Sequence, residues 1–156
     1  MAADLIAPAQ LADPARACWY LYLQAPWMYT TRKVFTHTID GASRSDFRFA
    51  PLSRAQVQEI FLNSRALLDI EHPAQRGLTM RTVEALGSQT KLITTNATVG
   101  SYDFHDPDNI AIIDRGNPRI PPGFLSTPFR PVPEAVLDRY RLATWVRDVC
   151  GQPPGN

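Results

Sequence analysis

Lysine is almost missing from this chain. Among 16 basic residues only Lys33 and Lys91 are lysine, and 15 acidic residues bring the net charge to +1. A balance this even gives no field to draw in a nucleic-acid backbone or an acidic membrane surface. Cysteine is scarce as well. Cys18 and Cys150 stand alone, far from any metal-site spacing, and point to a reducing compartment. No apolar run approaches the length that crosses a bilayer. The first 16 residues carry Asp4, Asp13, Pro8 and Pro14, which interrupt the apolar segment of a secretion signal. A cytoplasmic location is expected, with a peripheral position at the inner membrane as its variant. Internal repeats and low-complexity tracts are lacking. So are a phosphate loop with its lysine and the GxGxxG of a dinucleotide fold. Ser64, Ser88 and Ser101 lack the context of a nucleophile elbow, which leaves serine hydrolysis without support.

What remains is an ordinary globular composition. The chain has 156 residues and 44% apolar content, enough for one domain with a real core. Its organising stretch is Arg65 to Asn96, which reads as strand, loop, helix, strand. Ala66 to Ile70 is a short apolar run bounded by charge, as a buried strand should be. Gly77 to Leu86 has helical character, and Gly87 occupies the place of a left-handed C-cap. Lys91 to Thr95 is the second strand. Strands joined by a crossover helix lie parallel, and such a unit binds ligands beyond the carboxyl ends of its strands. Both ends are polar here: Glu71, His72, Gln75 and Arg76 follow the first strand, and Thr95 and Asn96 the second. The helix begins in the same crevice, with amide groups and a positive dipole end for an anion.

The flanks are read in chain order. Residues 1–16 form an N-terminal segment and residues 17–150 the α/β domain. Cys18 to Leu23 reads as a strand ended by Pro26. Val34 to Ile39 alternates as a strand does, and Phe47 to Phe49 is a short extended piece. The 24–50 stretch is too short for two crossover helices, so that connection should be irregular or antiparallel. Ser53 with Gln56 makes a capping box, and Leu52 with Val57 a hydrophobic staple, at the start of a helix whose stripe is Val57, Ile60, Phe61 and Ser64. Ile110 to Ile113 should be the last strand of the sheet. Six prolines between residues 117 and 133 call for an extended strap. Residues 133–150 form an amphipathic helix with a break near Leu142, and Trp145 is assigned to packing. Residues 151–156 are expected to be a disordered tail. The fold class is α/β, a Rossmann-like open sheet, mostly parallel, with flanking helices.

Asp103, His105, Asp106 and Asp108 resemble an oxygen-rich cation loop, but the glycine and spacing of a calcium site are missing and Asp106-Pro107 reads as a turn. No metal is expected.

The motifs QRGLTMRTVEALG, KLITTN, YDFHDPDNIAIIDR and PFRPVPEAVLDRY, in this order and spacing, resemble the C-terminal part of bacterial lipopolysaccharide and capsular polysaccharide biosynthesis proteins of a glycosyltransferase-like family. The resemblance spans residues 15–149 and is, more broadly, to the donor-binding half of GT-B glycosyltransferases. It implies that this half holds a nucleotide-sugar while an N-terminal half supplies the acceptor site. Glu84 matches the glutamate that binds the donor ribose, and Gly77 the glycine at the helix start near the diphosphate. The family's other glutamate falls at Arg76, beside Gln75, where a guanidinium can pair with diphosphate instead. The nucleotide-sugar site implied is His72, Gln75, Arg76, Gly77, Leu78, Thr79, Glu84, Thr95 and Asn96. The nucleoside-diphosphate sugar is substrate, and no other cofactor is implied. A saccharide or lipid-linked acceptor is the second partner, with a homodimer or a complementing N-terminal half as protein partner. The alternative is a non-catalytic α/β module acting through protein contacts, since the chain is long enough for one half only.

Overall fold

The structure is a computed structural model that describes residues 17–36, 39, 41–72, 74 and 77–151. The N-terminal segment 1–16 and residues 152–156 of the tail lie outside the described residues, as do Gln75 and Arg76. The chain divides into two compact units, Met1–Ile60 and Phe61–Asn156, and the division falls within one helix.

In the first unit β1 (Leu21–Tyr22) pairs in parallel with β2 (Phe47–Arg48), Leu21 opposite Phe47. The link between them is α1 (Pro26–Thr31), a π-helical turn over Arg32–Thr36 and a 3-10 turn over Arg44–Asp46. The connection is thus irregular, as one of the two alternatives required, but the strands it joins are parallel. Two assignments change. Pro26 opens a helix, because its fixed φ and missing N–H suit the first helical turn. Val34, placed in a strand by its alternating pattern, lies in the π turn with Phe35, and both are exposed. Among the described residues of this unit the alternation has no partner strand to pair with. Leu23, Tyr29, Ile39 and Phe47 form its small core. Tyr29 anchors it twice, donating its hydroxyl to the Ala42 carbonyl at 2.9 Å and packing on Phe47 with ring centroids 5.6 Å apart.

α2 (Arg54–Asn63) starts at the expected capping box. The Ser53 N–H donates to Gln56 Oε1 at 2.9 Å, and the Gln56 N–H to Ser53 Oγ at 3.3 Å. Its stripe of Val57, Ile60, Phe61 and Ser64 is half-buried rather than fully enclosed.

The second unit is built on three parallel strands in the order β3 (Ala66–Asp69), β4 (Lys91–Thr94), β5 (Ile110–Ile112). Leu67 lies opposite Leu92, and Leu92 opposite Ile110. The protein is therefore α/β, with a Rossmann-like open parallel sheet and flanking helices. All four residues of the central strand are buried, as expected of a parallel strand covered on both faces. Leu67, Ala85, Leu86, Leu92, Val99, Phe104 and Ile110 form the core, with Leu78, Val136, Leu137 and Tyr140 packed against it. Each fully buried leucine contributes about 2 kcal/mol by removing its surface from water.

The crossover helix is α3 (Met80–Gly87), shorter at its start than the periodicity predicts. Thr79 is its N-cap, and Gly77 precedes it with φ of 83°. Gly87 is not the left-handed cap. It belongs to the last helical turn, and Gln89 takes the left-handed conformation at φ 52°. Thr90 N–H then bonds the Ala85 carbonyl at 3.0 Å and Gln89 N–H the Leu86 carbonyl at 3.3 Å, the paired closure of a Schellman motif.

Lys91 is buried at the start of β4. Its ammonium donates to the carbonyls of Asp108 at 2.6 Å and Phe124 at 2.8 Å, and to Thr127 Oγ1 at 2.6 Å, and it faces the Phe124 ring. The strap of residues 117–133 has neither helix nor strand, and Lys91 ties its middle to the sheet. Burial, the largest influence, pushes the Lys91 ammonium below its usual range, against the opposing pull of Asp108 and Asp106.

The expected C-terminal helix is split. α4 (Glu134–Leu137) and a 3-10 turn (Asp138–Tyr140) are separated from α5 (Leu142–Val149) by Arg141, which is extended at ψ 139°. Val136, Leu137 and Tyr140 pack on the core, but Leu142, Trp145, Val146 and Val149 are exposed. Trp145, at 60% exposure, is therefore not a packing residue here. The kink at Arg141 turns the second half of the amphipathic pattern away from the core that receives the first.

Candidate functional site

The carboxyl ends of β3, β4 and β5 meet in one polar rim. Its floor is Asp69, a buried carboxylate closing an otherwise apolar strand. Asp69 Oδ2 accepts from Thr79 Oγ1 at 2.7 Å and from Thr94 Oγ1 at 3.3 Å. Thr79 Oγ1 also accepts the Thr82 N–H at 3.1 Å, so one hydroxyl caps the helix and satisfies the strand end. Thr82 Oγ1 lies 3.1 Å from it and closes the cluster. This arrangement holds the start of α3 against the end of β3.

Above the floor, Asn96 ties the two strand ends to the helix approach. Its Nδ2 donates to the Gly77 carbonyl at 2.8 Å, while its Oδ1 accepts from the Thr98 N–H at 3.0 Å and starts the 3-10 turn Ala97–Ser101. Thr95 Oγ1 accepts the Glu71 N–H at 3.3 Å. Arg115, beyond β5, donates through Nη2 to the Glu71 carbonyl and reaches Thr95 Oγ1 at 3.5 Å. The rim is thus joined across all three strands.

The residues expected at a ligand fall into four groups. Gly77, Thr95 and Asn96 are brought together at the rim, and Thr79 lies beneath it. Leu78 turns into the core and packs there. His72 is exposed, its Nδ1 accepting the Ala74 N–H at 3.2 Å. Glu84 pairs with Arg81 at 3.1 Å on a partly exposed helix face. Because α3 starts only at Met80, Gly77 and Glu84 do not share two turns of one helix. Gln75 and Arg76 lie outside the described residues.

Asp69, Thr82 and Arg115 complete the cluster together with Thr94 at the end of β4, and the sequence alone does not single those three out. A carboxylate ending an apolar strand was the available signal for Asp69. None existed for Arg115, whose place depends on β5 lying beside β4.

The acidic loop after the 3-10 turn is accounted for by ion pairs. Asp103 pairs with Arg139 at 2.6 Å and accepts the Tyr140 hydroxyl at 2.6 Å, while Arg130 reaches Asp108 at 2.6 Å and Asp106 at 3.8 Å. These carboxylates hold the strap and the C-terminal turns. A concavity of about 370 Å³ opens away from the rim, at the amino-terminal edge of the sheet between Arg65, Gln89, Lys91 and the strap.

Comparison with protein-family models, with curated proteins and with solved structures found no match to this chain.

Proposed function

We propose that the unit Phe61–Asn156 is a glycosyltransferase-like module that binds a nucleotide-sugar donor for sugar transfer in bacterial surface polysaccharide synthesis. The observation that carries this reading is the rim itself: three parallel strands ending in hydroxyl, amide and guanidinium groups beside the start of a crossover helix. In open parallel sheets this is where ligands bind, and helix-start amides with a nearby cation favour a phosphate group. The motif resemblance adds Glu84 as the ribose ligand. Its carboxylate stands on a partly exposed face and would exchange Arg81 for ribose hydroxyls. Stabilisation of a diphosphate leaving group would come from these fixed donors.

The test is a thermal-shift panel of nucleoside diphosphates and nucleotide-sugars on the wild-type chain and on Glu84→Ala. A ligand that binds the native state raises the melting temperature by mass action. A shift with one nucleotide, reduced in the variant, supports the reading. A flat panel on folded protein removes it.

A second reading, a non-catalytic module that works by protein contact, is favoured by one observation. Leu142, Trp145, Val146 and Val149 recur at helical spacing on one exposed face of α5. It predicts self-association or a protein partner and no turnover. A monomer by sedimentation that transfers sugar unaided rules it out.

A further inference from the structure

We propose that Arg115 is the anion-binding residue of the strand-end rim and takes the phosphate groups of a nucleoside diphosphate. The nucleotide part of this ligand rests on the reading above; the anion part rests on Arg115 itself.

Most arginines whose contacts define the second unit are neutralised. Arg81, Arg130, Arg139 and Arg141 each pair with a carboxylate. Arg65 and Arg119 bond neutral acceptors, but both are exposed, where water screens the charge. Arg115 differs on both counts. It is half-buried, and among the described residues its partners are a carbonyl and a hydroxyl, with no carboxylate. A partly desolvated cation without a counter-ion favours an anion more strongly than a screened one does.

The side chain is also aimed. Asp114 Oδ1 accepts the N–H groups of Gly116 at 2.6 Å and Asn117 at 2.9 Å, a local turn that fixes the backbone on either side of Arg115. Nη2 is braced on Glu71 and Thr95, at the ends of the other two strands. The rest of the guanidinium, Nε and Nη1, has no partner among the described residues. Nε and Nη1 lie on different edges of the plane, so each donates singly to an anion oxygen from a braced, delocalised cation, whereas a lysine in the same place would offer only a compact point charge on a flexible stem. The position follows from topology: Arg115 lies three residues past β5, at the same end of the sheet as Thr95 and Asn96.

The experiment uses the full chain and calorimetric titration with each common nucleoside diphosphate, the matching nucleoside, and inorganic pyrophosphate. Arg115→Ala should weaken diphosphate and pyrophosphate at least tenfold and leave the nucleoside unchanged. Arg115→Lys should fall between. Since Arg115 also braces Glu71, a second measurement avoids any change of sequence. Phenylglyoxal modification of the wild-type protein, mapped by mass spectrometry, should slow severalfold at Arg115 when pyrophosphate is present. Undiminished diphosphate affinity in a folded Arg115→Ala variant, or an unprotected Arg115, overturns the assignment and leaves the nucleotide reading standing. Pyrophosphate held through Arg115 with no nucleotide preference upholds the anion site and overturns the nucleotide reading. No binding of either overturns both.

Discussion

The hydroxyl of Thr79 donates to the buried carboxylate of Asp69 at 2.7 Å while accepting the Thr82 N–H at 3.1 Å. One atom therefore links the last residue of β3 to the first turn of α3. Gly77 and Asn96 are placed relative to the same helix start, so loss of that link should disturb the rim as well as the helix end. Thr79→Ala should cost about 1 kcal/mol as a lost cap. Asp69 Oδ2 would keep only the longer bond from Thr94, and the lost short donor adds about 1 kcal/mol. Thr79→Ser should recover most of both. Urea unfolding with unchanged slope measures the difference; a loss under half a kcal/mol (~0.5) would show that the link carries little.

The three backbone positions around α3 make a matched set. Gln89 holds a left-handed φ of 52°, and Gln89→Gly should stabilise the protein by about 0.5–1 kcal/mol after the entropy of glycine is counted. Gly87 sits in the helix with open space where a Cβ would be, so Gly87→Ala should stabilise by a similar amount, about 0.5–1 kcal/mol. Gly77, at φ 83°, has equal space but the wrong backbone, and Gly77→Ala should destabilise by about 1 kcal/mol. Melting temperatures of the three variants check the signs. A destabilising Gly87→Ala would return the left-handed cap to that residue.

Lys91 gives three hydrogen bonds from one buried ammonium, and two of them go to the strap, at Phe124 and Thr127. Lys91→Met keeps the length and removes the donors. Its expected cost is about 2–3 kcal/mol, from buried carbonyls left without partners. Limited proteolysis should then cut within residues 117–133 faster than in the wild type. Equal cutting rates would mean that the strap is held by its prolines and apolar contacts instead.

Tyr140 carries the pH dependence. Burial first, then its hydrogen bond to Asp103, pushes the phenol up from the ordinary 10.0 to about 12. Its ring also meets Phe104 edge-on at 4.8 Å. The folded state holds the proton more tightly than the unfolded one. The stability this provides is therefore complete below pH 10.0 and is lost as the pH rises through about 12. Tyr140→Phe should flatten that part of the stability profile, measured as urea midpoints across the alkaline range. Parallel wild-type and variant profiles there would remove Tyr140 as the cause.

Glu84 and Arg81 are both partly exposed, and a pair of this kind at i, i+3 contributes at most about 0.5–1 kcal/mol. Glu84→Ala should leave the denaturant midpoint nearly unchanged. Its effect on ligand, in the panel described above, would then be an effect on binding and not on folding. A large fall in midpoint would make Glu84 a structural residue.

Several elements were legible because their signals are local. The Ser53–Gln56 box marks the start of α2, the prolines of 117–133 exclude helix and strand, and the apolar runs at Leu67, Leu92 and Ile110 find strands of one sheet. Other expectations failed where a local signal has two outcomes. Pro26 can end a strand or open a helix, and the neighbours of the first unit chose the helix. A glycine near a helix end is a cap only if the helix stops before it, and α3 runs through Gly87 to a left-handed cap two residues later, at Gln89.

Periodicity, punctuation and chain order by themselves determined the α/β class, the parallel β3–α3–β4 unit and the end of the sheet where polar residues gather. Only the tertiary structure decided which polar residues share the rim. Asp69, Thr79 and Thr94 are joined by hydrogen bonds across 10 and 25 positions of chain, and Arg115 reaches Glu71 across 44. It likewise decided that Lys91 is buried, because its acceptors arrive from the strap, and that Trp145 is exposed, because Arg141 bends the chain before it. Helical and strand periods arise from contacts a few residues apart, whereas a site is made by strand order, and strand order depends on which distant surfaces bury one another.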